Sequence, residues 1–285
     1  SSFGLEYKRF LDDWVLTVGS SYDRFDINSA GVFTEAEGSS FDDIAAVIGA
    51  TYKLSKTTDI FVNLGKKSRF PTLRESFSAA LGRFVINPDL KPESGLLTEV
   101  GIDYQGQDLD ATLSLFANNY TDLITRASVP GDTLNRKQRV NLDEATILGA
   151  EVLVKYYVTN DFDLTGHFTY MNSKGTVDGI EQNLEYRPEI IAFFQADWRL
   201  YGGLDLLGEV DLMGNQYGIS DVVEDLVPIE ATTLFNLRLS YKTVYNENLY
   251  TLFIRANNLL DQARLNKIAI TSPGRMVYGG VSVAF

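Results

Sequence analysis

His167 is the only imidazole in the sequence, and there is no cysteine at all. Zinc and thiolate sites draw on several such groups, so His167 cannot build a His-rich metal centre, and neither a disulfide nor a thiolate nucleophile is available. Glu209 and Asp211 lie two residues apart, a spacing that puts both carboxylates on one face of a strand. Acid–base pairs share that geometry. No nucleophile-elbow pattern or histidine base accompanies them, however, and like charges on a wet wall need no catalytic purpose. No enzyme and no cofactor are expected. The third chemically suggestive group is basic: Arg126, Arg136, Lys137 and Arg139 gather between Thr125 and Leu142 in a chain of formal charge −13. Such a cluster can attract an anionic ligand, bridge anionic lipopolysaccharide, or merely solvate a loop. The overall acidity argues against nucleic acid as a partner.

The segments that carry these residues alternate. Leu164, Gly166, Phe168 and Tyr170 interleave with Asp163, Thr165, His167 and Thr169. Ile190, Ala192, Phe194, Ala196, Trp198 and Leu200 oppose Ile191, Phe193, Gln195, Asp197 and Arg199. At the end, Val277, Gly279, Val281, Val283 and Phe285 oppose Met276, Tyr278, Gly280, Ser282 and Ala284. Period two is the strand signature. Similar segments run near Phe3–Phe10, Trp14–Asp26, Ile44–Leu54, Asp59–Lys67, Leu96–Tyr104, Leu109–Tyr120, Ile147–Tyr157, Leu204–Met213, Thr232–Tyr241 and Tyr250–Asn257. About thirteen strands result. No apolar run approaches the roughly 18 residues of a membrane-spanning helix.

The polar face carries Glu99, Asp103, Glu151, Lys155, Asp197, Arg199, Glu209, Asp211, Arg238 and Arg255. A soluble sandwich would bury its apolar face and turn charge outward, whereas these charges suit a hydrated lumen behind a lipid-contacting band. Trp14, Tyr52, Tyr104, Tyr156, Tyr201 and Tyr241 sit near strand ends, as interfacial girdles do. Connections alternate in length. Short ones fall at Leu11–Asp13, Ser55–Thr57, Gln105–Asp108, Thr159–Asp161, Gly202–Gly203 and Tyr245–Asn248. Long ones fall at Ile27–Asp43, Ser68–Gly95, Thr125–Leu142, Ser173–Glu185, Gly218–Glu230 and Leu259–Pro273. The pattern predicts an all-β, antiparallel, up-and-down transmembrane β-barrel in a bacterial outer membrane, with short turns in the periplasm and long loops outside.

The stretch Lys67-Ser68-Arg69-Phe70-Pro71-Thr72-Leu73-Arg74-Glu75-Ser76-Phe77, followed by Asn87-Pro88-Asp89-Leu90-Lys91-Pro92-Glu93, resembles a hallmark of TonB-dependent receptors. Asn118–Ile124, Ala145–Glu151 and Asn257-Asn258-Leu259-Leu260-Asp261 resemble further barrel segments of that family. Pro273-Gly274-Arg275 leads to a strand ending on Phe285, similar to the aromatic signal read by the barrel assembly machinery. The resemblance implies an outer-membrane receptor that binds a scarce nutrient such as a ferric siderophore and admits it when TonB rearranges a plug. It also implies that lumen-facing Glu99, Asp103, Glu151, Asp197, Arg199, Arg238 and Arg255 meet the plug or one another.

The plug and the TonB-contacting segment have no counterpart ahead of Ser1, and Ser1–Phe10 carries charges where the apolar core of a leader would lie. Plugged transporters have about 22 strands. Residues 1–285 are therefore expected to be the C-terminal part of such a barrel, its remaining strands lying elsewhere. An odd strand count makes the first and last strands parallel, which bars simple closure. A further strand in Thr72–Ile86 or Ser29–Phe41 would instead permit a passive, closed pore of about 14 strands. A soluble β-rich binding module is the third alternative.

Overall fold

The computed structural model describes residues 1–27, 40–80, 82–177, 179–220 and 226–284. The elements begin with β1 (Ser2–Phe10), β2 (Trp14–Asp26), β3 (Ser40–Lys53), β4 (Thr58–Arg69), helix α1 (Leu73–Phe77), β5 (Phe84–Val85), β6 (Glu93–Gln105) and β7 (Leu109–Thr121). There follow β8 (Ile124–Ser128), β9 (Lys137–Asn141), β10 (Glu144–Thr159), β11 (Phe162–Val177), β12 (Ile180–Asn183), β13 (Ile190–Arg199) and β14 (Leu204–Met213). The remainder are β15 (Gln216–Ile219), β16 (Leu226–Ile229), β17 (Thr232–Tyr245), β18 (Asn248–Asn257), β19 (Leu265–Lys267), β20 (Ile270–Thr271) and β21 (Met276–Ala284).

One sheet runs in the order β1-β2-β3-β4-β6-β7-β10-β11-β13-β14-β17-β18-β21, and β12 pairs with β11 off that path. All the strands expected from alternation lie on the path, and among the described residues β1 and β21 are its two ends. Among the described residues, the stretch 72–86 supplies no barrel strand. It holds α1 and β5, and β5 joins β9 and β8 in a separate three-stranded sheet. The other stretch considered for an added strand lies largely at 28–39, outside the described residues.

Two compact units are present: Ser1–Gly101 with Leu115–Leu148 and Asn172–Leu184, and Ile102–Ser114 with Gly149–Met171 and Glu185–Phe285. In the first, the register lines up Tyr7, Val18, Ile48 and Leu64 across β1 to β4. Val18 and Ile48 remain 52% and 56% exposed. A contiguous apolar row this open is incompatible with water and defines a lipid-contacting face. In the second unit, Leu164, Ala196, Gly208, Leu237, Ala256 and Val277 form the equivalent row across β11, β13, β14, β17, β18 and β21. Alternate residues on the same strands carry the charges, because successive side chains point to opposite faces.

The short connections are tight turns. Leu54 N–H donates to the Thr58 carbonyl at 2.9 Å, and Gly106 N–H to that of Leu109 at 2.8 Å. Asn246 and Glu247, which join β17 to β18, both take positive φ (48° and 66°), the conformation of a type I′ hairpin. Trp14 and Tyr52 pack at 4.8 Å between ring centroids beside the first of these turns.

Among the described residues, buried apolar side chains gather in two small clusters, with Leu90, Ala192 and Ile229 buried outside them. Ile27 and Phe77 pack with Phe25 and Phe41, while Leu142, Ala145 and Leu184 pack with Tyr120, Leu123 and Ile147. Both clusters lie in the first unit, where the long connections fold onto strand ends.

Candidate functional site

At the end of β4 the chain must turn from a strand into a loop, and Arg69 governs that turn. Its Nε and Nη2 donate to Glu93 at 2.6 Å each, and its Nη1 and Nη2 donate to Glu75 at 2.8 and 3.2 Å. One planar guanidinium thereby ties β4 to α1 and to the start of β6, in the forked geometry that lysine cannot reproduce. Thr72 caps α1: its hydroxyl accepts from Glu75 N–H at 3.2 Å, and Glu75 Oε2 accepts from Thr72 N–H at 2.9 Å. This is a capping box. Burial pushes the Glu75 carboxyl up, but hydrogen bonds from Arg69 and Thr72 outweigh it and hold the group below the ordinary glutamate value. Glu93 also accepts from Ile124 N–H at 2.8 Å, bringing β8 into the same knot.

The rest of the motif is equally engaged. Phe70 stacks near Phe25 and Phe41, and Pro71 is buried. Leu73 is exposed. Asn87 donates its side-chain amide to the Arg139 carbonyl at 2.8 Å and accepts from Asp89 N–H at 3.1 Å. Leu90, between Pro88 and Pro92, is 1% exposed. Lys91 exchanges backbone hydrogen bonds with the Asn141 side chain, both at 3.0 Å. Pro92 leads directly into Glu93.

The four basic residues fall on the β8–β9 hairpin and the turn that closes it. Arg136 pairs with Asp132 at 2.6 Å, and that pairing holds the Asp132 carboxyl at about 2. Lys137 is buried and donates to the Ser128 hydroxyl at 2.9 Å. Arg139 lies 4.3 Å from the centroid of the Phe84 ring, and burial there pulls its guanidinium below the usual arginine value. Arg126 sits opposite Arg139 in the register.

On the polar face of the first unit, Glu99 accepts from Asn63 at 3.2 Å. In the second, Asp103 accepts from Thr112 at 2.7 Å and from Gln105 at 2.9 Å. Glu151 lies 3.6 Å from His167 Nε2, with Thr169 beside both. Asp197 accepts from Gln195, and Arg199 reaches Asp163 at 3.5 Å. Arg238 covers the Phe253 ring at 4.8 Å. Arg255 pairs with Glu209 at 2.5 Å, while buried Arg264 grips Asp211 at 3.0 Å. The two carboxylates that resembled a catalytic pair are each held by a separate arginine.

Sequence reasoning passed over Thr72 as a cap, although Thr72-Leu73-Arg74-Glu75 has the spacing of a capping box. It also missed Arg264, for which alternation gives no signal because the residue lies in a loop. Asn258 was matched only as part of a motif. In the structure its side-chain amide donates to the Gln262 carbonyl and its oxygen accepts from Gln262 N–H, at 2.8 and 2.9 Å. Asp261 accepts from Arg275 N–H at 2.7 Å, so the Asn-Asn-Leu-Leu-Asp and Pro-Gly-Arg segments are tied to each other. Phe285 lies outside the described residues.

A lipid-facing antiparallel sheet with an inner charged face and asymmetric connections defines an outer-membrane β-barrel protein. A family model for the TonB-dependent receptor-like β-barrel matches residues 2–259, and the chain belongs to that family. The iron-regulated outer membrane virulence protein of Vibrio cholerae serotype O1 is 36% identical over 103 residues, which are 33% of this chain and 16% of that protein. Among solved structures, the copper transporter OprC superposes with a TM-score of 0.80 at 20% identity, over 98% of this chain and 47% of that one. The FrpB iron transporter of Neisseria meningitidis gives 0.75 at 16% identity, over 98% and 44%. The ferric enterobactin receptor of Pseudomonas aeruginosa gives 0.67 at 17% identity, over 98% and 53%. The chain thus spans about half the length of these structures.

Proposed function

We propose that residues 1–285 form the C-terminal part of the barrel of a TonB-energised receptor that imports a scarce nutrient, with a ferric siderophore as the leading cargo. The family match over residues 2–259 carries this reading. The names of the iron transporter and the ferric enterobactin receptor support iron as the cargo class. The remaining strands would complete the wall at β1 and β21, the two ends of the sheet among the described residues, with a plug inside it, because bare strand edges leave backbone groups unsatisfied in lipid. TonB would act through the plug, and the charged inner face would border it. In this reading the β8–β9 hairpin is scaffold: Arg136, Lys137 and Arg139 are spent on internal partners, and the cargo meets other outer surfaces first.

The test is uptake of radioiron chelated by a panel of siderophores, in cells that depend on the full-length receptor, with and without TonB. Accumulation of one chelate that vanishes without TonB supports the proposal. Equal accumulation without TonB would leave a passive pore, and no accumulation of any chelate would remove iron as the cargo.

A further inference from the structure

We infer that the outer, lipid-contacting face of the second unit holds a built groove for one hydrocarbon chain of a membrane lipid. The groove has a volume of about 900 Å³ and lies over β10, β11, β13, β14 and β17. Its floor is made by Gly166, Ala196 and Gly208, and Phe168, Phe194 and Phe235 stand along it as walls. The register accounts for the shape. Ala196 and Gly208 are direct cross-strand partners flanked by Leu164 and Leu237, and the adjoining row on the same face is Gly166, Phe194, Val210 and Phe235, so the small pair sits beside a row that carries two aromatic rings.

Packing does not demand these glycines. A Cβ at Gly208 would meet nothing within 4 Å, and one at Gly166 would touch only Phe194, at an ordinary 3.5 Å. Neither has positive φ, and the β11–β13 and β13–β14 registers run without a bulge through both positions. Glycine inside a strand costs conformational entropy and side-chain packing. In the absence of a bulge or a left-handed turn, such a glycine leaves room for another group to approach the backbone closely.

The occupant follows from the setting. The groove is continuous with the apolar band that faces the bilayer, so hydrocarbon is what it meets. Neighbouring strands lie about 4.8 Å apart, so the Ala196–Gly208 pair gives the floor, over those two strands, the calibre of a single extended chain. The face of a second copy would have to thread its own side chains between Phe168, Phe194 and Phe235, without the hydrophobic drive that water supplies.

The experiment is native mass spectrometry of the full-length receptor, extracted from outer membranes into mild detergent, as wild type and as Gly208→Leu, Gly166→Leu and Val281→Leu. Val281 lies on the same apolar face of β21, outside the groove. Heat-modifiable gel migration confirms that each variant is folded. The wild type and Val281→Leu are expected to keep a one-lipid adduct that both glycine variants lose. An adduct retained in the glycine variants would overturn the inference, as would its absence from the wild type. A dimer split by Gly208→Leu would also overturn it, by showing that the groove seats a second copy.

Discussion

Two polar assemblies organise this protein, and they are built in opposite ways. The knot around Arg69 gathers β4, α1 and β6 onto one guanidinium, draws in β8 through Glu93, and uses backbone amides as well as side chains. The charged face of the second unit is spread over many strands and consists mostly of separate pairs, such as Arg255–Glu209, Arg264–Asp211 and Arg199–Asp163. A knot that needs a particular backbone path demands particular residues in sequence order, so it leaves a motif. Pairs across strands need only opposite charges at the right register, so they leave none.

Removing the centre of the knot should produce the largest effect. Arg69→Ala strands Glu75 and Glu93 near one another without their cation, and should lower stability by about 2 kcal/mol. Urea titration of the full-length receptor in micelles would read this, and hydrogen exchange at Ile124 would locate it. Arg69→Lys should recover only part, because an ammonium cannot fork. Unchanged exchange at Ile124 in Arg69→Ala would show that the knot holds nothing.

The cap gives the next effect. Thr72→Ala should cost about 1 kcal/mol, detectable as faster protease cleavage in 73–80. On the charged face, a double-mutant cycle of Arg255→Met and Glu209→Gln should give a coupling of about 1 kcal/mol or less. A coupling larger than the Arg69→Ala loss would reverse the contrast between the two assemblies.

The smallest effect is a pH dependence of the hairpin. The Asp132 carboxyl is lowered from 3.8 to about 2 by Arg136. A depressed acid adds its share of stability fully above the unfolded value, so the turn should be ordered above pH about 4. That order is lost as pH falls through about 2. Amide protection of Arg136 across that window would follow the change, and Asp132→Asn should abolish the pH dependence.

Strands were the most legible feature of the sequence. Each required a single bit per residue, in or out, and Trp14–Asp26 and Leu204–Met213 matched to the residue. What sequence reading passed over lies in the long connections. The helix α1 is five residues long and the hairpin strands β8 and β9 five each, too short for any period to emerge. The Arg69, Glu75 and Glu93 positions were read through a family resemblance, but their convergence was not, because 24 residues of chain separate the ends of one ion pair. The basic cluster was legible only in part for a related reason: its charge is visible in sequence, whereas the Asp132, Ser128 and Phe84 partners of Arg136, Lys137 and Arg139 are visible only in space.

The turn between β13 and β14 ends on Gly203, which has φ of 83°, and a Cβ there would lie 2.3 Å from the carbonyl oxygen of Lys242. Ten consecutive residue pairs, Leu204↔Tyr241 through Met213↔Thr232, begin next to it. In evolutionary terms Gly203 has an alphabet of one letter. Saturation mutagenesis at that codon should return glycine alone among functional survivors, so the alignment of a whole strand pair is inherited through a residue that has no side chain.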